Sequence, residues 1–249
     1  MKWLGGMVNK VRNECADGSP FWRDRSFDSL LECCKGLRPI LNYLPDDLKS
    51  TAYEGQDRVE TVDSSYKDNG YGYFFYALSR ALRPRNCIEL GVLHGFSLLS
   101  VAAGLRDNGS GIIHGIDRFE EYPYRHARLA DTKDHMRGCG LAEWSGVTRA
   151  DALLEDERHR DLDYLHVDLS NDGDTYRFVF RHWAHKVRQV ILLEGGSPDR
   201  DRVEWMEKYK KPLIVPAIDE IRREYPDWVV AVLAPFPSLT VAVRRRDEK

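Results

Sequence analysis

Residues 88–97 read Ile-Glu-Leu-Gly-Val-Leu-His-Gly-Phe-Ser, a short apolar run carrying one carboxylate, followed by two glycines four residues apart and then a second apolar run. Glycines at Gly91 and Gly95 let the backbone turn sharply and approach a ligand closely. The helix that should start beyond them, around Ser97, opens with backbone N–H groups that lack intrahelical partners and can receive an anionic group. A dinucleotide loop would be spaced G-x-G-x-x-G. Here the spacing is G-x-x-x-G, and Glu89 would repel a pyrophosphate but attract an ammonium group, which counts against a nicotinamide-dependent oxidoreductase. His94, inside the loop, lies within reach of the same ligand.

Outward from this loop, short apolar runs alternate with amphipathic ones. Strands are expected at Asn86–Leu90, Gly111–Asp117, Gly146–Asp151, Asp163–Asp168 and Gln189–Gly195, with helices over 70–84, 96–107 and 174–187. Such alternation implies a parallel sheet covered on both faces. The end of the chain departs from it. "WVVAVLA" and "LTVAVRR" are separated only by "PFPS", which suits a hairpin and is too short for a right-handed crossover, so the last strand should run antiparallel.

Ligands of open α/β sheets bind beyond the carboxyl ends of the strands. Each of the five parallel strands carries an acid there: Glu89, Asp117, Asp151, Asp168 and Glu194. Any one of them could be a turn or helix-cap residue. Five at one rim point to ligands or cations, because a buried carboxylate without a partner costs several kcal/mol.

The chain has 249 residues, 37 Lys and Arg against 40 Asp and Glu, and 42% hydrophobic residues. That length supports a full core, and the balanced charge disfavours nucleic acid as a partner. Five cysteines without CxxC spacing suit a reduced compartment. No signal-like or membrane-spanning run stands out, so a cytoplasmic protein without membrane attachment is expected. Residues 1–63 are read as a helical extension, chiefly through the amphipathic stretch at 27–44, which could cap the core, cover the site or mediate homo-oligomer formation. Residues 64–249 form the main domain.

The segment E-L-G-V-L-H-G-F-S (89–97) resembles the first motif of class I S-adenosylmethionine-dependent methyltransferases, and the likeness extends over roughly 64–245. It implies a Rossmann-like seven-stranded α/β sheet in the order 3-2-1-4-5-7-6, with strand seven reversed. It also implies that Asp117 takes the donor's ribose hydroxyls, that Asp151 approaches the adenine amino group, and that Asp168 stands beside the reactive methyl. The stretch from Ser64 to Ser97 looks like the entry to small-molecule O-methyltransferases of the catechol and macrolide-sugar types, which makes Tyr66, Tyr71 and Tyr73 candidates for lining the donor pocket. Aromatic residues at these spacings are also common core residues.

Transfer to a hydroxyl needs donor and acceptor held in line, together with a base or a metal ion that lowers the hydroxyl pKa. In the macrolide-sugar type a histidine serves as a base where this chain has Asn171 or Asp174. In the catechol type an acid on strand four and an Asp-Asn pair on strand five hold magnesium. Asp168 matches the first, whereas Glu194 and Gly195 stand in place of the pair. Asp168, Asn171, Asp172, Asp174 and Glu194 could offer oxygens to a hard cation such as Mg2+, or could form a helix start. His166 should share a strand face with Asp168. The expected activity is O-methylation of a small hydroxylated sugar or phenol, and the departures leave a non-catalytic donor-binding or scaffold protein as the alternative.

Overall fold

The computed structural model describes residues 53–67, 71–124, 126–155, 159–197, 204–233 and 237–245. The amphipathic stretch at 27–44 lies outside them. Seven strands form one sheet: β1 (Asn86–Leu90), β2 (Ile112–Asp117), β3 (Ser145–Arg149), β4 (Leu162–Val167), β5 (Val187–Glu194), β6 (Trp228–Leu233) and β7 (Leu239–Arg244). Their order is β3-β2-β1-β4-β5-β7-β6. The strands β1 to β5 pair in parallel, and β7 is antiparallel to both of its neighbours. This is the Rossmann-like arrangement expected from the alternation and from the short connection before β7, which spans residues 234–238.

Every residue of β4 is buried, as befits a central strand covered on both faces. Period-two alternation sends Tyr164, Val190 and Leu192 to one core, and Leu165, Ile191 and Leu193 to the other. The first core is closed by α2 (Tyr71–Leu82) and α3 (Phe96–Asn108), with the short α1 (Gln56–Val59) beside them. The second is closed by α5 (Gly173–His182) and α7 (Ile214–Glu224). The remaining helices are α4 (Leu129–Gly138), which leads into β3, and α6 (Glu204–Lys208). Asp163 ties the start of β1 to β4, its Oδ2 accepting the Arg85 and Asn86 amides at 2.8 and 3.2 Å.

Three boundaries differ from the sequence expectation. β3 ends at Arg149, leaving Asp151 beyond the strand, where its carboxylate caps a 3-10 turn by accepting the Leu153 amide. The helix expected to run to Val187 stops at His182, because Trp183 (φ −117°, ψ −31°) leaves the helical region, and a turn at Ala184–Lys186 leads into β5. Residues just before Ser64 are built into the first core: Tyr53 stacks on Tyr76 at 4.4 Å, and Val59 and Val62 are buried there. No described helix is long and apolar enough to cross a membrane.

The helices α2 and α3 approach closely at Gly104, where an added Cβ would fall 1.7 Å from Ser79 Oγ and 2.9 Å from the Tyr76 carbonyl oxygen. Gly104→Ala should therefore lower stability by about 1–3 kcal/mol through overpacking, measurable as a lower urea midpoint at unchanged slope; an unchanged midpoint would contradict this packing.

Candidate active site

The glycine loop leaves the sheet between β2 and β4, held by backbone bonds from Gly91 N–H to the Ile116 carbonyl (2.9 Å) and from Asp168 N–H to the Leu90 carbonyl (2.8 Å). Gly91 has φ 83°, and a Cβ there would lie 2.0 Å from the Asp168 carbonyl oxygen. Both its backbone angle and its surroundings therefore require glycine. Asp117 then fastens the loop. Its Oδ2 accepts the Val92 and Leu93 amides at 2.7 and 3.0 Å, and its Oδ1 accepts the Phe119 amide at 2.6 Å. A carboxylate offers about four lone-pair positions, so one remains for a ligand. Gly95 (φ 91°) begins α3 without a side-chain cap.

These strand ends surround a cavity of about 540 Å³. Among the residues expected in the site, Gly91, Asp117, Asp151, Asp168 and Asp174 line it. Asp151 commits one oxygen to Leu153 N–H at 3.1 Å. Asp174 is exposed in the first turn of α5, 3.9 Å from Arg177.

Another acid lies behind the wall, within electrostatic reach of Asp168 on it. Glu89 is wholly buried, accepting a hydrogen bond from Ser97 Oγ at 2.9 Å and another from His166 Nδ1 at 3.1 Å. Burial raises its carboxyl pKa, opposed by His166 and Ser97. The rings of Tyr66 and Phe75 pack on His166 at 5.9 and 5.1 Å. Tyr66, buried and close to the carboxylates of Asp168, Glu194 and Glu89, holds its phenolic proton well above the ordinary tyrosine range, with burial the largest cause. Asp168 holds its proton well above the ordinary carboxylate range, first through burial and then through the neighbouring Glu194 carboxylate. Two buried polar atoms in this region, His166 Nε2 and Asn171 Oδ1, have no hydrogen-bond partner among the described residues, while the Tyr66 hydroxyl is turned toward Asp168.

Residues 88–193 match the protein family described as "Methyltransferase domain". Caffeoyl-CoA O-methyltransferase 1 of Eucalyptus globulus is 28% identical over 180 residues, covering 69% of this chain and 67% of the relative. The enzyme of Zinnia elegans is 29% identical, covering 64% of this chain and 61% of the relative. The chain thus spans about two thirds or less of these relatives. An O-methyltransferase from Bacillus cereus, solved in complex with SAH, superposes with a TM-score of 0.59 at 15% identity, covering 80% of this chain and 94% of that one. TomG from Streptomyces achromogenes, an O-methyltransferase involved in tomaymycin synthesis and solved with SAM, gives 0.55 at 14%, covering 80% and 94%.

Residues 88–193 thus carry a methyltransferase-domain signature, within a fold shared with O-methyltransferases solved with SAM or SAH.

Several residues of this methyltransferase stand elsewhere than its sequence suggests. Glu89 is not on the cavity wall, because period-two alternation turns it toward the α2–α3 face, next to His166 in the register of β1 and β4. Ser97 likewise faces Glu89. Tyr66 and Tyr71 sit in the aromatic core at 5.6 Å from each other, and Tyr73 packs partly buried against it. Gly95 and His94 turn toward α4: a Cβ on Gly95 would meet Thr132, and the His94 carbonyl accepts from His135 Nδ1 at 3.0 Å. Neither Asn171 nor Glu194 lines the cavity.

Sequence reading missed Arg118, Tyr122, His126, Phe178 and Lys211, all on the cavity wall. Lys211 reaches it by pairing with Asp172 at 3.0 Å, while Gly173 N–H bonds the Pro212 carbonyl at 2.8 Å. Asp172 caps α5 through the Thr175 amide at 3.0 Å and also accepts from Ser170 Oγ at 2.8 Å. The only signal was the cluster of lysines at 208–211, which carries no spacing motif.

Asp117→Ala removes the acceptor of three backbone amides. It should cost about 2 kcal/mol or more and weaken S-adenosylhomocysteine binding at least about tenfold by calorimetry; donor-product affinity equal to that of the unaltered protein would count against the clamp. Gly91→Ala should behave similarly, because the strain lies in the loop itself.

Proposed function

We propose that this methyltransferase moves the methyl group of S-adenosylmethionine onto a hydroxyl of a small acceptor, a catechol-like phenol or a sugar. The observation that carries the reading is the single cavity joining the glycine loop, Asp117 and Asp151 to Asp168, Phe178 and Lys211. The first group suits the nucleoside and amino acid of the donor, and the second suits a flat or hydroxylated acceptor. The similarity to caffeoyl-CoA O-methyltransferases supports a phenolic acceptor.

Displacement at a sulfonium needs no proton for the departing thioether, so the work at the acceptor is to orient the hydroxyl and lower its pKa. Asp168, holding its proton unusually tightly beside Glu194, is the group from this chain assigned to the acceptor hydroxyl. Asn171 and Asp174 flank it on the turn into α5, and Asp174 is the alternative acceptor contact.

A divalent cation fits oxygen donors of this kind. Among the described residues no group of three His, Cys, Asp or Glu side chains could hold a metal, so the third oxygen has to come from an amide. Asn171 Oδ1 is buried without a partner and lies 2.7 Å from the position a Cβ on Gly195 would take, immediately beyond Glu194. Asp168, Glu194 and Asn171 would hold magnesium there, and the ion would supply Lewis acidity toward the acceptor hydroxyl.

The reading extends to a cytoplasmic protein, supported by the buried free thiols Cys87 and Cys139, and to an assembly or site-covering role for the segment before residue 53.

Incubation with S-adenosylmethionine and a panel of catechols and sugars should yield a methylated product by mass spectrometry, reduced by chelation and restored by magnesium. Asp168→Asn should lower turnover roughly a hundredfold or more with little change in donor-product affinity. Absence of product across the panel in a protein that binds the donor would favour the non-catalytic reading.

A further inference from the structure

A second cavity, of about 610 Å³, opens at the opposite rim of the sheet, where β4 and β5 begin. Among the described residues its lining holds four side chains that are cationic at neutral pH, two histidines and a single acid. The chain as a whole carries a formal charge of −3, so this concentration of positive charge is local.

Four segments contribute, the turn Ala184–Lys186 with His185 and Lys186 among them. Arg160 comes from the residues before β4, Arg181 from the last turn of α5, and Arg188 from the second position of β5. Basic residues in the last turn of a helix are commonly explained by its dipole. That explanation covers Arg181 and His182 but not Arg160, which precedes β4, or Arg188, which lies in β5. Arg188 pairs with Asp161, the only acid among the described lining residues, at 2.8 Å. Arg160 and Arg181 form no ion pair with any carboxylate among the described residues. The Lys186 ammonium lies 5.2 Å from the centre of the Trp183 ring, which seats it at the same edge.

We infer that this cavity binds a compact phosphate-bearing small molecule, with Arg160, Arg181 and Arg188 taking its phosphate oxygens. Planar guanidinium groups present paired donors that match phosphate oxygens, and such charge-assisted bonds are stronger than neutral ones. The volume lies in the range of small-molecule sites. A nucleic-acid surface would spread its cations along a stripe of a basic domain, whereas here they converge on one cavity of an acidic chain. The site is separate from the methyl-donor cavity, which lies at the other ends of the same strands.

The test is calorimetry with pyrophosphate, at ionic strength held constant with chloride and in the presence of saturating S-adenosylhomocysteine. Saturable binding is expected, weakened roughly tenfold or more in the Arg160→Ala/Arg181→Ala double variant, with circular dichroism unchanged. Arg181→Glu, a single exposed substitution, should weaken it as well and keeps the test open should the double variant fail to fold. Absence of saturable heat, or equal affinity in a folded variant, overturns the assignment. So does binding of a single-stranded oligonucleotide that pyrophosphate cannot displace.

Discussion

The site depends on one close approach, that of Gly91 to the Asp168 carbonyl. Two backbones cannot come this near with a side chain between them, and their proximity is what aligns the ends of β1 and β4. Once they are aligned, the loop after Gly91 passes over the end of β2, where the Asp117 carboxylate can take its free amides. The start of α3 follows from that path, and so does the shared cavity onto which Asp117, Asp151 and Asp168 open. Packing elsewhere, such as the α2–α3 contact, supports this frame without determining it.

The acids at the rim fall into two groups with different physics. Asp117 and Asp151 are partly exposed and engaged by backbone N–H groups, an inexpensive setting for negative charge. Glu89, wholly buried, and Asp168, half-buried where it opens onto the cavity, resist ionisation through desolvation, and Asp168 further because of Glu194. Charge placed so close to charge is costly in a poorly hydrated interior. His166 and Ser97 offset part of this cost at Glu89. At Asp168 and Glu194 the environment instead suits an occupant that brings positive charge or a shared proton, which is the basis of the proposed acceptor chemistry.

Much of this architecture was legible from short stretches of the chain. The short connection between the last two strands required a hairpin and hence a reversed β7, and the glycine spacing together with Asp117, Asp151 and Asp168 pointed to the cavity. Side-chain direction was less accessible. Alternation states that Glu89 and Leu90 face opposite ways, but which face is closed by aromatic rings depends on how α2 docks, so Glu89 and Tyr66 were both assigned to the wall when they stand behind it. Lys211 was invisible for another reason: it enters the cavity from a segment placed by a backbone contact at Gly173, and long-range contacts of that kind leave no local pattern. Asp151 kept its role on the wall although its strand is shorter than expected, because the turn it caps holds it at the same rim.

The reversed strand also bears on the order of assembly. β7 follows both β5 and β6 in the chain yet lies between them in the sheet, and its Thr240 hydroxyl, bonded to the Gly195 carbonyl and to Tyr176, closes the end of β5 beside Glu194. The surroundings of Glu194 are thus completed by a strand that follows all six others in the chain, so they cannot close until the outer hairpin has docked on β5.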